Sequence, residues 1–170
     1  MHYHVDWARD HDARLLERLE IQCFSAGARA EVEIARGLQD PLKDGLVAVR
    51  EDRLIGLLMW GLDPDRRQVR LEDLVVHPRF RWNAIAAQLM QAMLHLTCTS
   101  PSAPAVTWHA FVPDDHLARH LLLRDFGFRA VRVIRHVWPG FDVYEFQRTL
   151  QMPANVVAKP WPRPAPSPRA

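Results

Sequence analysis

Apolar and polar positions alternate along the chain in two periods, which divide it into strands and helices. His2–Asp6 predicts a short strand, followed by a helix over Asp10–Cys23 in which Leu15, Leu19 and Cys23 recur at i, i+4. Ala28–Leu38 predicts a second helix, ended by Asp40-Pro41. The apolar runs Leu46–Val49 and Leu54–Trp60 flank the polar turn Arg50-Glu51-Asp52-Arg53 and predict a hairpin. Val69–His77 is the third strand of this meander. A helix follows over Trp82–Leu96, with Ile85, Leu89, Met93 and Leu96 on one stripe. Ala105–Phe111 predicts a strand, Asp114 an N-cap, and Gly127 the end of a helix that runs to Phe126. Phe128–Trp138 and Phe141–Arg148 close the chain as a hairpin about Pro139-Gly140. The order β-α-α-β-β-β-α-β-α-β-β predicts an α/β (α+β) fold, a mixed sheet with helices packed on it.

Composition narrows the class. At 170 residues, 48% hydrophobic and 25% charged, the chain predicts one globular domain over residues 1–150. Residues 151–170 hold six of the 13 prolines and no acid, and predict an extended, disordered tail. The tail also carries Lys159, Arg163 and Arg169. Without them 19 basic residues face 20 acidic ones, so the calculated pI of 8.8 does not reflect a basic nucleic-acid-binding face. No apolar run approaches the roughly 20 residues of a membrane span, and the start of the chain lacks a secretory pattern. Cys23 and Cys98 form neither a disulfide framework nor a metal-ligand spacing, which predicts a cytoplasmic protein with reduced thiols and no metal. No Gly-x-Ser-x-Gly elbow is present, so a serine hydrolase is unsupported.

The most informative passage is Leu71–Met90. An apolar strand ends at Val76, Pro78 stops ladder formation, and a helix begins among Arg81, Asn83 and small alanines. A helix start offers unpaired N–H groups and a partial positive charge, which suit a diphosphate. The competing reading is an ordinary strand–helix connection with a surface arginine.

Val76-His77-Pro78-Arg79-Phe80-Arg81-Trp82-Asn83-Ala84-Ile85-Ala86 resembles the acyl-CoA signature of the GCN5-related N-acetyltransferases, Val-x-Pro-x-x-Arg-x-x-Gly-x-Gly/Ala. Ala118–Phe128, ending in Gly127-Phe128, is similar to that family's second motif. The element order agrees over residues 1–150, and the pattern resembles the ribosomal-protein-type members in particular. The resemblance implies a mixed, mostly antiparallel sheet with helices on both faces. It also implies an acetyl-CoA-dependent N-acetyltransferase acting on a primary amine of a small molecule or peptide. It places the pantetheine arm on Leu74, Val75 and Val76. The diphosphate falls on the main chain of Arg81, Trp82, Asn83, Ala84, Ile85, Ala86 and Ala87, and His116 near the cofactor. Ala84 stands where the signature has glycine, and alanine is poor at positive φ.

Members of the ribosomal-protein type carry a glutamate base on the fifth strand and a tyrosine acid before Gly-Phe. Those positions are Phe111 and Leu123 here. Glu72 is the leading substitute base. Its competing reading is a carboxylate that orders a loop or pairs with an arginine. Asp73 is second, since alternation turns it to the face opposite Glu72. Tyr144 could supply a proton, against a packing role. His109 and His116 titrate in a useful range, although His109 also reads as a sheet-surface residue. Phe111 and Leu123 leave open a second function, an inert acyl-CoA-binding sensor or interaction domain. Acceptor specificity is expected from Asp10–Leu38 and Arg135–Asp142, with Arg135, His136 and Trp138 as lining residues. The sheet edges and the closing hairpin are the surfaces through which a homodimer is expected to form.

Overall fold

The computed structural model describes residues 2–23, 31–63, 65–81, 84–99, 107–138 and 141–149. Trp82, Asn83, the Pro139-Gly140 turn and the 151–170 tail therefore lie outside the described residues.

Seven strands form one sheet in the order β1-β2-β3-β4-β5-β7-β6. They are β1 (His4–Trp7), β2 (Lys43–Arg50), β3 (Arg53–Asp63), β4 (Gln68–Val76), β5 (Thr107–Pro113), β6 (Arg129–Trp138) and β7 (Phe141–Thr149). Every pairing is antiparallel except β4 with β5, which is parallel. The helices are α1 (Ala13–Cys23), α2 (Glu31–Gln39), α3 (Ile85–Cys98) and α4 (Leu117–Asp125). Element order, mixed sheet and helices on both faces all agree with the sequence expectation.

The sheet separates two cores. On one face Leu16, Leu19 and Ile34 of α1 and α2 pack on Val47, Leu57, Met59 and Val75. On the other, Ile85, Leu89 and Met93 of α3 and Leu123 of α4 pack on Leu58, Trp60, Trp108, Ala110 and Phe146. The predicted α3 stripe is thus the buried one. α3 comes close to β3 because Gly56 has no side chain: a Cβ there would lie 2.9 Å from Ile85 Cγ2.

Three local expectations are corrected. A 3-10 turn over Asp10–Asp12 precedes α1, and the buried face is Ala13, Leu16, Leu19 and Glu20, while Leu15 is 41% exposed. The N-cap of α4 is His116 rather than Asp114, because the Asp114 N–H still bonds to the Asp142 carbonyl on β7. β5 runs on to Pro113. Gly127 does end α4 at φ 79°, with N–H bonds from Gly127 to Arg124 and from Phe128 to Leu123.

Candidate active site

The site begins where β4 and β5 part. Their parallel ladder ends at Leu71 opposite Ala110, while β5 continues along β7 to Pro113. A bulge in β4 accompanies the parting. Met59 pairs with Asp73 and Trp60 with Leu71, so Glu72 is the extra residue. The bulge overturns the expected alternation. Before it Val69 and Leu71 face the α3/α4 core, and after it Leu74 does, so Asp73 joins Glu72 on the α1/α2 side.

Beyond the bulge, the His77 N–H bonds back to the Ile55 carbonyl on β3 at 2.9 Å. By strand alternation Leu74 and Val76 turn their N–H and C=O groups to the opposite, open edge. Two side chains confirm the direction. Arg119 of α4 donates from Nη2 to the Leu74 carbonyl at 2.9 Å, and the Cys23 thiol reaches the Val76 carbonyl at 3.5 Å. Burial lowers the pKa of the Arg119 guanidinium, against the opposing effect of the Asp73 charge. Nothing in the sequence singled out Arg119, since a cation on a short helix reads as a solvated one.

The turn after β4 is a 3-10 segment, Pro78–Phe80, capped by His77 Nδ1, which accepts the Arg79 N–H at 3.2 Å. The His77 and Phe80 rings pack 5.3 Å apart across it. α3 then begins at an N-cap, Ala84, in the left-handed region (φ 56°, ψ 15°) with no side-chain cap. Its first intrahelical bond runs from Gln88 N–H to the Ala84 carbonyl, so the N–H groups of Ile85, Ala86 and Ala87 precede the ladder. No acidic residue occupies this first turn, and Arg81 is exposed just before it. Burial raises the Cys23 thiol pKa, and the Arg81 charge beside it works the other way. Free N–H groups, small side chains and a cation make a cradle that fits a diphosphate.

On the α1/α2 side of the sheet, past the two helices, lies a cleft of about 810 Å³. Its wall includes Lys43, Arg70, Glu72, His109, Phe111 and Glu145. Glu72 binds Lys43 Nζ through Oε2 and Arg70 Nη2 through Oε1, each at 2.8 Å. Burial alone would raise its pKa, but the hydrogen bonds and charges of Arg70 and Lys43 outweigh it and hold the carboxyl low. The pairing of Glu72 with an arginine, the competing reading of the sequence, is what the geometry contains. His109 Nδ1 lies 3.1 Å from Glu145 Oε1, and Arg132 grips Glu145 Oε2 from Nε at 2.8 Å and Nη2 at 2.7 Å. The described cleft residues come from the α2–β2 and β3–β4 turns and from β2, β3, β4, β5 and β7. None lies within Asp10–Leu38, from which acceptor specificity was expected.

A smaller hollow of about 20 Å³ fills the gap itself, lined by Leu74, Phe111, Arg119 and Leu123 among others. Phe111 therefore borders both spaces, and Leu123 is buried against the core. The structure does not bring Glu72 and Tyr144 together. Tyr144 pairs with Val112 and packs against the α3/α4 core, its ring 5.2 Å from that of His120, on the face opposite Glu72. His116 is exposed at the start of α4. Among the described residues no group of histidine, cysteine, aspartate or glutamate could hold a metal, and no helix is long and apolar enough to cross a membrane.

A split sheet, a phosphate-accepting helix start and a cleft reaching the split from the other face define an acyl-CoA-dependent transferase. Residues 14–128 match the sequence model of the Acetyltransferase (GNAT) family. The chain belongs to that family, whose members are acetyl-CoA-dependent N-acetyltransferases, and acetyl-CoA is its co-substrate. No curated protein matched the sequence. The fold is similar to the ribosomal-protein-S18-alanine N-acetyltransferase from Escherichia coli, with a TM-score of 0.77 at 12% identity over 89% of this chain and 96% of that one. Arabidopsis thaliana NAA60, solved with a bisubstrate analogue, gives 0.76 at 17% identity over 88% and 99%. Ard1 from Thermoplasma volcanium gives 0.75 at 14% identity over 89% and 100%.

Proposed function

We propose that the chain transfers the acetyl group to a primary amine of a small molecule or peptide that enters through the 810 Å³ cleft. The observation that carries this reading is the parting of β4 from β5 beyond Leu71 and Ala110, with Phe111 bordering both the gap and the cleft. On this reading the diphosphate lies on the main chain from Arg81 to Ala87, through Trp82, Asn83, Ala84, Ile85 and Ala86. The pantetheine arm lies along Leu74, Val75 and Val76, and His116 stands near the cofactor. Acetyl-CoA, when bound, supplies the activated acyl carbon.

Transfer needs a neutral amine held against that carbon and a proton for the departing sulfur. Holding the two reactants in line supplies much of the barrier reduction by itself. Phe111 and Leu123 contribute apolar walls to the gap, beside the Arg119 guanidinium. Glu72, with both oxygens filled by cations, fits an anchoring role for Lys43 and Arg70 better than proton acceptance. Tyr144 on the far face is removed from the amine's side of the reaction. The exposed Val131, Val133 and Val137 of edge strand β6 support a homodimer formed along that edge. Reduced Cys23 and Cys98 support a cytoplasmic location.

The test is acetyl-CoA turnover, followed as free thiol, against a panel of amines and N-terminal peptides. Amine-dependent thiol release with a matching acetylated product is expected. Saturable CoA binding without turnover on any member would instead support an acyl-CoA-binding sensor.

A further inference from the structure

We propose that Arg119 is a catalytic residue of this chain: its guanidinium charge holds the sulfur of acetyl-CoA as a thiolate when the C–S bond breaks. The proposal rests on the acetyl-transfer reading above. That reading puts the sulfur in the gap beyond Leu71 and Ala110, whose hollow is lined by Leu71, Phe111, Arg119 and Leu123 among others. At about 20 Å³ the hollow admits one group of roughly the size of a water molecule or a sulfur atom.

A sulfur that departs there needs a proton or a positive charge. Phe111 and Leu123 offer neither. Arg119 stands one turn before Leu123 on α4, so the two share a helix face. It is the one cation in the wall of the hollow among the described residues. Of the other titratable groups on β4, β5 and α4, only Glu72 shares that wall, and its two oxygens are filled by Lys43 and Arg70.

The guanidinium is anchored and open. Its Nη2 donates to the Leu74 carbonyl at 2.9 Å, on the free edge of β4. A carbonyl has two lone pairs, so this bond leaves room for the pantetheine arm, and a guanidinium has further N–H groups to offer. Arg119 is only partly buried, and none of its nitrogens is both sealed and without a partner. Its charge is also uncancelled at the anchor, because the Leu74 carbonyl is neutral. The Asp73 charge acts on it from β4, but burial outweighs that effect and lowers the pKa. An arginine stays protonated even so.

Atoms and electrons balance in the step. The lone pair of the neutral amine forms the C–N bond to the acetyl carbon. The C–S bond breaks, and sulfur keeps the electron pair as a thiolate beside Arg119. Nitrogen gives its surplus proton to solvent, and the thiolate takes one from solvent as CoA leaves. Arg119 keeps its own protons throughout.

Two measurements test this. The first needs only bound CoA, whose thiol is titrated by thiolate ultraviolet absorbance against the protein alone, which corrects for Cys23 and Cys98. The adjacent positive charge should lower the thiol pKa to at least about one unit below that of free CoA. Arg119→Gln keeps a neutral donor for Leu74 and should return the thiol to the free value or above. Arg119→Lys should keep most of the lowering. The second measurement is kcat, which should fall by about a hundredfold or more in Arg119→Gln and by about tenfold less than that in Arg119→Lys. A structural anchor alone would be served by either variant. A wild-type thiol that ionises at the free value, a thiol unchanged in Arg119→Gln, or equal kcat losses in the two variants overturns the proposal. If Arg119→Gln does not fold, the wild-type titration decides. If wild type acetylates no amine, the acetyl-transfer reading fails separately, and the thiol titration still judges Arg119.

Discussion

Arg119 Nη2 donates to the main-chain carbonyl of Leu74 at 2.9 Å, bridging α4 to the edge of β4 that has lost its neighbour. A strand edge inside a protein leaves carbonyls without ladder partners, and a charged donor is a strong replacement. Arg119→Met removes the donor and leaves a largely buried acceptor unpaired. Urea unfolding should show a loss of about 1–3 kcal/mol. CoA affinity should fall as well, since Leu74 turns toward the same edge that receives the pantetheine arm in this account.

Ala84 holds a left-handed conformation that costs an L-residue about 1–2 kcal/mol, whereas glycine adopts it freely. Ala84→Gly should therefore raise stability by up to about 1 kcal/mol after the greater chain entropy of glycine is subtracted. The urea midpoint measures this. Equal or lower stability would mean that the helix start relaxes around alanine at no cost.

Ala87→Asp separates helix stability from ligand binding. A carboxylate in the first turn of a helix favours the helix by about 0.3–1 kcal/mol through the helix dipole. The same charge repels a diphosphate at those N–H groups. Melting temperature should hold or rise while calorimetric CoA affinity drops by about tenfold or more, equivalent to about 1.4 kcal/mol.

Gly56→Ala places a methyl group 2.9 Å from Ile85 Cγ2, at the base of the cradle. Overpacking of this kind costs about 1–3 kcal/mol and should lift the first turn of α3. Reduced stability together with weaker CoA binding is the expected pair of outcomes.

The Glu72 carboxyl is held below the ordinary glutamate range, so its ion pairs add stability above that range and lose it as pH falls through the lowered value. Wild type should lose stability progressively as pH falls from the ordinary glutamate range through the lowered value. Glu72→Gln should be the less stable protein at neutral pH and show a shallower acid loss, read from unfolding curves at each pH.

Much of this architecture was legible because it rests on local chemistry. The α3 stripe of Ile85, Leu89 and Met93, the stop at Pro78 and the glycine that ends α4 each state their geometry in a few residues. The bulge at Glu72 left no such mark, since one extra residue in a strand looks like any other. It nevertheless decides which face Asp73 takes. Leu15 and Leu16 of α1 are adjacent leucines, and only packing against Val47 and Leu57 selects Leu16. The His109–Glu145 pair joins residues 36 apart and depends on the β5–β7 register. Arg119 acquires a role only because β4 and β5 separate. Elements were readable from sequence, and the contacts between distant elements that build the site were not.

The central claim is that acetyl-CoA binds along the open edge of β4 with its diphosphate on the start of α3. A crystal structure of the chain with CoA tests it most directly. The account predicts phosphate oxygens on the N–H groups of Ile85, Ala86 and Ala87, and the pantetheine arm paired with Leu74 and Val76. It also predicts the thiol in the gap between Leu71 and Phe111. CoA bound elsewhere, or a first turn of α3 empty at saturating CoA, would contradict it.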